Sequence, residues 1–351
     1  MTRSATPEQS IQVGGRTIGD GSAFIIAEMA CAHDGDFSKA KELIAAAREA
    51  QVDAVQLQIF QAPANVVAHH RLRSVLDKIQ FDASQWQELV AEGRKLRLPV
   101  FACAYDLPSL ELALQLGVDG IKFNSADLGN REMLELAARS GVLFTLGTGA
   151  SRLEEVGKAL SVVLEHGGRR VVLMHGIQAF PTRIDKASIR RLGVLRQAFG
   201  TLVGYADHTD GDDPFAGVVD LLALGAGACV LEKHFTLNRA DKGLDYQAAL
   251  NPDQLAAYVS VVRNGVRALG SGSPQPFDDD DKRYRQFQKK RIVAARALPD
   301  GTVITRADVA LLRTEDGEGM DASSLEAVIG KRLRGPLDRH ALVLPEDLVQ
   351  D

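Results

Sequence analysis

Short apolar runs recur along the first two thirds of the chain, and most are followed by an amphipathic stretch of helical length. The runs are rich in Val, Ile, Leu and Phe without strict polar alternation, which is typical of strands buried on both faces. The eight predicted strands cover residues 24–30, 54–60, 100–105, 120–127, 143–149, 171–178, 202–208 and 229–236. Predicted helices include residues 36–50, 83–96, 152–166 and 252–269. Eight strand and helix pairs in about 250 residues predict an α/β fold, a (β/α)8 TIM barrel.

Ionisable residues stand at or near the ends of five of these runs. They are Glu28, Asp127, His175, His208 and His234. In a (β/α)8 barrel the functional residues gather at the C-terminal ends of the strands. The pattern therefore predicts one functional rim, to which several strands contribute.

The pattern changes near residues 271–289, which we interpret as a linker between a barrel domain, residues 1–270, and a second domain, residues 290–351. Ser, Gly and Pro at residues 271–276 favour turns, and the acidic run at 278–281 is typical of solvated chain. From Arg291 onward, short extended pieces alternate with turn residues. This alternation predicts a compact, mostly β module.

Composition narrows the function classes. With 351 residues, 45% of them hydrophobic, the chain can bury one large core and still form a small second domain. A net charge of −5 gives no reason to expect nucleic acid as a partner. Residues 1–10 carry no apolar signal region and no run has the length of a membrane span, so we expect a cytoplasmic protein. Cysteines 31, 103 and 229 lack Cys-x-x-Cys spacing and are interpreted as buried structural thiols.

His208 and His234 are the strongest candidate pair. The seventh and eighth strands of a closed eight-stranded barrel are neighbours, so their ends can present two imidazoles to one ion. Two His ligands with oxygen donors suit Mn, Fe, Co or Zn. Asp207 and Glu232 beside them are carboxylates that can orient the rings or join the ligand set. A single His at such a position is more often a hydrogen-bonded structural residue, but the two together at one rim favour a metal site.

The other polar positions leave alternatives open. Glu28, on the first strand, either pairs with Lys122 or binds a substrate hydroxyl, because an unpaired charge there is expensive. Lys122 and Asp127 are five residues apart, on opposite faces of an ideal strand, although a bend at the strand end can bring both to the rim. The Gly147-Thr148-Gly149 turn lets backbone amides approach an anion, but such turns are common.

Read together and in order, these segments resemble the sialic acid (N-acetylneuraminate) synthase family. The resemblance rests on residues 25–29 with 33–35, on 203–209, on 227–236 and on the tail around Arg313 and 328–331. It covers nearly the whole chain and implies a TIM barrel followed by an antifreeze-like (SAF) domain. It also implies a transferase of carbohydrate biosynthesis that condenses phosphoenolpyruvate with an N-acylmannosamine-like sugar to give a sialic-acid-like 2-keto acid.

The resemblance also implies roles for individual residues. His208 and His234 match the ligands of a divalent metal, manganese in the family, and Asp127 with Glu28 and Lys122 forms the expected catalytic set. The resemblance further implies a domain-swapped homodimer, in which Arg313 reaches the partner's barrel. The expected substrate-binding residues are Ser125, Gln56, Gln178, Asp245, Arg313 and Phe180.

The departures from the family pattern concentrate at the phosphoenolpyruvate site. Gln56 replaces a lysine of the second strand, so one cation opposite the phosphate is missing. The other replacements are Ala104, Gly147 and Ala206 for Thr or Ser, Gln178 for a smaller polar residue, Asp127 for glutamate, and Phe180 for tyrosine. Each lost charge-assisted hydrogen bond is worth roughly 1.5 to 3 kcal/mol.

Three functions therefore compete. The first is a divergent synthase that still uses phosphoenolpyruvate, and the second is a metal-dependent enzyme with a phosphate-free donor or a retro-aldol reaction. The third is a non-catalytic homologue that binds a sugar or a partner protein. Retention of both histidines argues against the third function, because a non-catalytic copy has no need of metal geometry.

Overall fold

The computed structural model describes residues 6–270, 276–315 and 319–349 of the chain. The chain divides into two compact units, Met1–Gly270 and Ser271–Asp351. The first five residues of the predicted linker, 271–275, lie outside the described residues.

The first unit contains a closed barrel of eight parallel strands, which confirms the predicted fold class. A short antiparallel hairpin, β1 (Ile11–Val13) and β2 (Arg16–Ile18), precedes the barrel. The barrel strands are β3 (Phe24–Glu28), β4 (Ala54–Ile59), β5 (Val100–Ala104), β6 (Gly120–Phe123), β7 (Leu143–Gly147), β8 (Val171–His175), β9 (Leu202–Asp207) and β10 (Ala228–His234). They follow one another around the barrel in chain order, and β10 closes it by pairing with β3.

Helices surround the barrel and bury their apolar faces against the outer side of the strands. Side-chain caps define several helix starts; Asp36, for example, accepts hydrogen bonds from the backbone N–H groups of Ser38 and Lys39. The helices are α1 (Phe37–Glu49), α2 (Ala62–Asn65), α3 (Arg73–Ile79), α4 (Ala83–Lys95), α5 (Leu107–Leu116), α6 (Arg131–Ser140), α7 (Leu153–Glu165), α8 (Arg191–Phe199), α9 (Val219–Gly225) and α10 (Pro252–Leu269).

Alternate residues of each strand face the barrel interior. The N-terminal half of the interior is apolar: Phe24, Phe101 and Leu143 pack with Ile11 and Ile18 of the hairpin. The polar interior residues come later along the strands, so the chemistry is confined to the C-terminal end of the barrel.

The predicted fourth strand, residues 120–127, is too long. It ends at Phe123, and residues Ser125–Asp127 form a short 3-10 helix. The cause is Asn124, whose side-chain oxygen accepts a hydrogen bond from Ala126 N at 3.1 Å while its carbonyl accepts from Asp127 N at 2.9 Å. These local bonds turn the chain away from the sheet.

The second unit has its own core, formed by Ile292, Ile304 and Val343 with other buried apolar residues. It begins with α11 (Asp279–Phe287), which Asp278 caps through the backbone N–H of Asp281 at 2.8 Å. The acidic run thus starts a helix, where negative charge is favourable. The remaining elements are β11 (Arg291–Ala294), β12 (Val309–Leu312) and α12 (Leu325–Val328), and β11 and β12 pair antiparallel.

Within the described residues, no helix is both long enough and apolar enough to cross a membrane.

Candidate active site

Three buried side chains meet at the C-terminal end of the barrel: His208, Glu232 and His234. His208 directly follows β9, and the other two lie two residues apart on β10, so both face the interior. Their candidate ligand atoms, one from each residue, all lie within 4.8 Å of one another.

The two imidazoles differ in their hydrogen bonds. Nδ1 of His208 lies 2.7 Å from the carbonyl oxygen of Ile177. Because a carbonyl only accepts, Nδ1 carries the proton and Nε2 keeps its lone pair. Nδ1 of His234 is buried and has no hydrogen-bond partner among the described residues. Burial lowers the pKa of His208, and burial together with the neighbouring His208 lowers the pKa of His234 well below its usual value. Both rings are therefore neutral at pH 7.

This donor set fits a divalent transition metal. Two neutral imidazoles and one carboxylate suit Mn, Fe, Co or Zn, and a bound ion would also satisfy the unpartnered nitrogen of His234. Of the two carboxylates that the sequence offers as further ligands, Asp207 and Glu232, the cluster contains Glu232. The signal for it was its spacing of two from His234, which puts both side chains on one face of a strand.

A buried polar network of Lys122, Glu28, Glu232 and Gln56 adjoins the metal cluster through Glu232. Lys122 Nζ contacts Glu232 and lies 3.4 Å from Glu28 Oε2. Gln56 Nε2 donates to Glu28 and, at 3.1 Å, to Glu232 Oε2. Burial alone would lower the pKa of Lys122, but the two glutamates raise it above its ordinary value. The network therefore holds one ammonium between two carboxylates and one neutral amide. The ion-pair alternative for Glu28 is present in the structure.

A cavity of about 450 Å³, counting the part open to solvent, adjoins the two histidines. Lys122, Ser125, Gln178 and Phe180 line it together with the two histidines, which brings six of the predicted site residues together. The Phe180 ring centroid lies 4.2 Å from that of His208 and 5.7 Å from that of His234. Phe180 thus covers one side of both imidazoles while remaining 45% exposed.

The three small residues that replace family hydroxyls differ in their placement. Gly147 and Ala206 line the cavity. A Cβ at position 147 would lie 3.0 Å from Ser125 N and 3.1 Å from Phe123 O, so the backbone around Ser125 leaves little room for a side chain there. Ala104 instead belongs to the apolar cluster between strands and helices, and a hydroxyl at that position would not face the cavity.

Asp127 and Asp245 belong neither to the metal cluster nor to the buried polar network. Asp127 is not among the described residues that line the cavity; burial raises its pKa, and the Asn130 side chain opposes that shift. Asp245 has a left-handed backbone (φ 62°) in the loop after β10, where burial raises its pKa. The preceding amide, Leu244 N, donates to Asp34 Oδ1 at 2.9 Å, which ties this loop to the loop after β3. Arg313 directly follows β12 in the second unit.

Comparisons with known proteins agree with this architecture. Residues 43–274 match the model of the NeuB family, and residues 290–349 match the SAF domain. The N,N'-diacetyllegionaminic acid synthase of Legionella pneumophila is 30% identical over 93% of this chain and 95% of its own. The N-acetylneuraminate-9-phosphate synthase of Drosophila melanogaster is 26% identical over 93% of this chain and 96% of its own.

Solved structures show the same likeness. The N-acetylneuraminic acid synthetase of Leptospira borgpetersenii, crystallised with citrate, is 26% identical, with a TM-score of 0.73 over 80% of this chain and 96% of that chain. The spore coat polysaccharide biosynthesis protein SpsE of Bacillus subtilis is 23% identical, with a TM-score of 0.67 over 97% of this chain and 99% of that chain, and shows the fold alone.

Proposed function

The chain belongs to the NeuB family and is a condensing enzyme of the sialic acid synthase type, and from this premise we propose its reaction. The proposed enzyme is a metal-dependent synthase that joins phosphoenolpyruvate to an N-acylmannosamine-like aldose and releases phosphate. The observation that carries the proposal is the buried cluster of His208, Glu232 and His234 beside a polar cavity at the C-terminal end of the barrel.

The reaction forms one carbon–carbon bond. C3 of the enol attacks the aldehyde carbon of the open-chain sugar, water adds at C2, and loss of phosphate leaves the 2-keto acid. A bound divalent cation, manganese in our proposal, would act as a Lewis acid toward the aldehyde oxygen. The protein holds His208 and His234 neutral, and Phe180 shields one side of the two rings from water.

We assign the donor to the cavity face formed by Lys122, Ser125 and Gln178. Lys122 supplies the positive charge there, and the hydroxyl and amide supply neutral hydrogen bonds. The cation is shared with Glu28 and Glu232, so it offers a donor anion less than a full positive charge. Gln56 is uncharged and donates a hydrogen bond to Glu28, so it adds no positive charge to the network.

That charge balance favours one second candidate function. A donor without phosphate, such as pyruvate, needs fewer cations than phosphoenolpyruvate does. The same scaffold would then catalyse a metal-dependent aldol or retro-aldol reaction. A non-catalytic role gains no support, because the chain keeps three candidate metal ligands in one buried cluster.

On the acceptor side, we propose that Glu28, Asp245 and Phe180 contact the sugar and that Asp127 acts as an acid during condensation. We also propose a homodimer in which Arg313 of one copy serves the barrel of the other, in the cytoplasm where the donor is made. These assignments follow the family resemblance, and the ion pair of Glu28 with Lys122 is compatible with a later exchange for a sugar hydroxyl.

The test is product formation. Full-length protein with Mn²⁺ is incubated with N-acetylmannosamine, as one N-acylated aldose, and either phosphoenolpyruvate or pyruvate. Inorganic phosphate and the 2-keto acid are measured. With phosphoenolpyruvate we expect equal amounts of phosphate and 2-keto acid. Both products should disappear when the metal is chelated and in the His208→Ala variant. A 2-keto acid product formed from the sugar with pyruvate, but not with phosphoenolpyruvate, would favour the second function. The absence of any product with any N-acylated aldose would count against both functions.

A further inference from the structure

A second buried charge cluster lies on the outer side of β9 and β10, behind the proposed metal site. Lys233 contacts Asp207 and donates to Asp220 Oδ2 at 3.2 Å and to the Ala216 carbonyl at 2.6 Å. The side chains of the lysine and of both aspartates are fully buried. The Tyr258 ring of α10 covers the ammonium, with its centroid 5.2 Å from Nζ. This cluster has no place in the proposed reaction, because it faces the helices and not the cavity.

Each strand residue of the cluster immediately precedes a metal-ligand candidate. Asp207 precedes His208 and Lys233 precedes His234, so the cluster and the ligands point to opposite sides of the same two strand ends. Asp207 and Lys233 are also register partners between β9 and β10. Their ion pair therefore links the two strands at the positions from which both imidazoles project.

The register between these strands is irregular lower in the barrel. Ala228 pairs with Val203, but Val230 pairs with Gly204, so β10 carries one extra residue at this point. A one-residue slip of a strand turns its side chains to the opposite face. Above the irregularity the ladder resumes from Val230–Gly204 to Lys233–Asp207, so the buried ion pair lies at the end of the segment that carries Glu232 and His234.

Asp207 also fixes the chain around His208. Its Oδ1 accepts hydrogen bonds from Thr209 N at 3.1 Å, from Thr209 Oγ1 at 2.6 Å and from the Tyr205 hydroxyl at 3.1 Å. Asp207 thus binds both Thr209, the residue after His208, and Lys233, the residue before His234. A buried ion pair often stabilises a protein less than well-packed apolar residues of similar volume do. Its directional bonds, however, can specify one arrangement of the strands.

We propose that Asp207 and Lys233 are positioning residues for the metal site: their buried ion pair fixes the register of β9 and β10 so that His208 and His234 converge on one ion. Asp220 supports the pair from α9. The inference rests on the proposed metal function, and the experiment below separates the failure of one from the failure of the other.

The test compares Asp207→Asn with Asp53→Asn in the full-length protein. Asp53 is a matched control at the opposite end of the barrel, since it is also buried, accepts from Arg263 at 2.6 and 2.7 Å, and accepts from a backbone N–H, that of Ile25, at 2.8 Å. Mn²⁺ affinity is measured by calorimetry and folding by the melting temperature. Asp207→Asn is expected to weaken Mn²⁺ binding on the order of 10- to 100-fold. Asp53→Asn should stay within about twofold, even though both lower the melting temperature.

Other outcomes are equally decisive. If both variants bind Mn²⁺ like the wild type, or both lose the same affinity, the positioning role is wrong and the metal site stands. If the wild type itself binds no divalent metal, the metal function fails and the inference with it.

A second measurement needs no variant and so does not depend on whether Asp207→Asn folds. If the cluster joins the ligands to α9, Mn²⁺ should slow amide hydrogen exchange in α9 of the wild type, although α9 supplies no ligand. Exchange in α7, which carries no part of the cluster, should not change. Slower exchange at β9 and β10 alone, with α9 unaffected, would overturn the coupling.

Discussion

Lys122 on β6 and Glu232 on β10 form an ion pair across the barrel interior, joining strands on opposite sides of the closed sheet. Glu232 also belongs to the candidate metal cluster. One carboxylate thus serves the cation of the donor face and the proposed metal at once. The charge balance of the site depends on this shared residue.

Removing the lysine should destabilise the protein. Lys122→Met leaves Glu28 and Glu232 buried without their cation, and breaking a buried pair in this way costs about 3–5 kcal/mol. Urea unfolding of the metal-free protein measures the change. The control is Arg131→Met, which removes an exposed pair with Glu135 and should cost less than about 1 kcal/mol. Similar small losses in both variants would mean that the network is not an important source of stability.

Restoring a cation at position 56 should improve donor binding. Gln56→Lys would share the two carboxylates and leave Lys122 more positive charge for an anionic donor. One additional charge-assisted interaction of about 1.5 kcal/mol corresponds to roughly tenfold tighter phosphoenolpyruvate binding. Calorimetry of the Mn²⁺-loaded variant measures this, with Gln56→Met as a control of similar size and no charge. Weaker or unchanged binding in Gln56→Lys would show that donor charge is not limiting.

His33 should make stability depend on pH. It is buried against Phe81 and Trp86, and burial lowers its pKa to about 4. The unfolded chain, with a pKa near 6.5, binds more protons between these values, so the stabilising contribution is complete above pH 6.5 and is lost as pH falls toward 4.

Between pH 7.5 and 4.5 this contribution amounts to about 2.5 kcal/mol. The free energy of unfolding should therefore fall by that much more in the wild type than in His33→Asn, whose side-chain oxygen can still accept from Gly35 N. Parallel pH profiles for the two proteins would contradict a neutral, buried His33.

The role proposed for Arg313 can be tested by mixing two variants. If this arginine acts across a dimer, Arg313→Ala and His208→Ala are each inactive, but a mixed dimer contains one site with both residues intact. Random re-association should then restore about a quarter of the wild-type activity. Arg339→Ala, which alters another exposed arginine of the same unit, should keep its activity. No recovery on mixing would place Arg313 outside a shared site.

The sequence predicted the barrel because hydrophobic patterning alone specifies buried parallel strands. It also predicted that His208 and His234 lie close together, since neighbouring strands end at one rim. Contacts across the barrel interior are harder to predict from the sequence, because the pairing of Lys122 with Glu232 depends on barrel closure and register. The outward direction of Ala104 likewise depends on register. Asp127 was placed at a strand end because the turn formed by Asn124 is a local side-chain effect that periodicity does not reveal.

Our main proposal is that phosphoenolpyruvate is the donor and binds in the cavity beside a metal held by His208 and His234. Its most direct test is a calorimetric titration of phosphoenolpyruvate, with pyruvate in parallel, into Mn²⁺-loaded wild type and His208→Ala. We expect micromolar phosphoenolpyruvate binding to the loaded wild type and its loss in the variant. A protein that binds Mn²⁺ but not phosphoenolpyruvate would contradict this proposal and show that the family's donor has been abandoned.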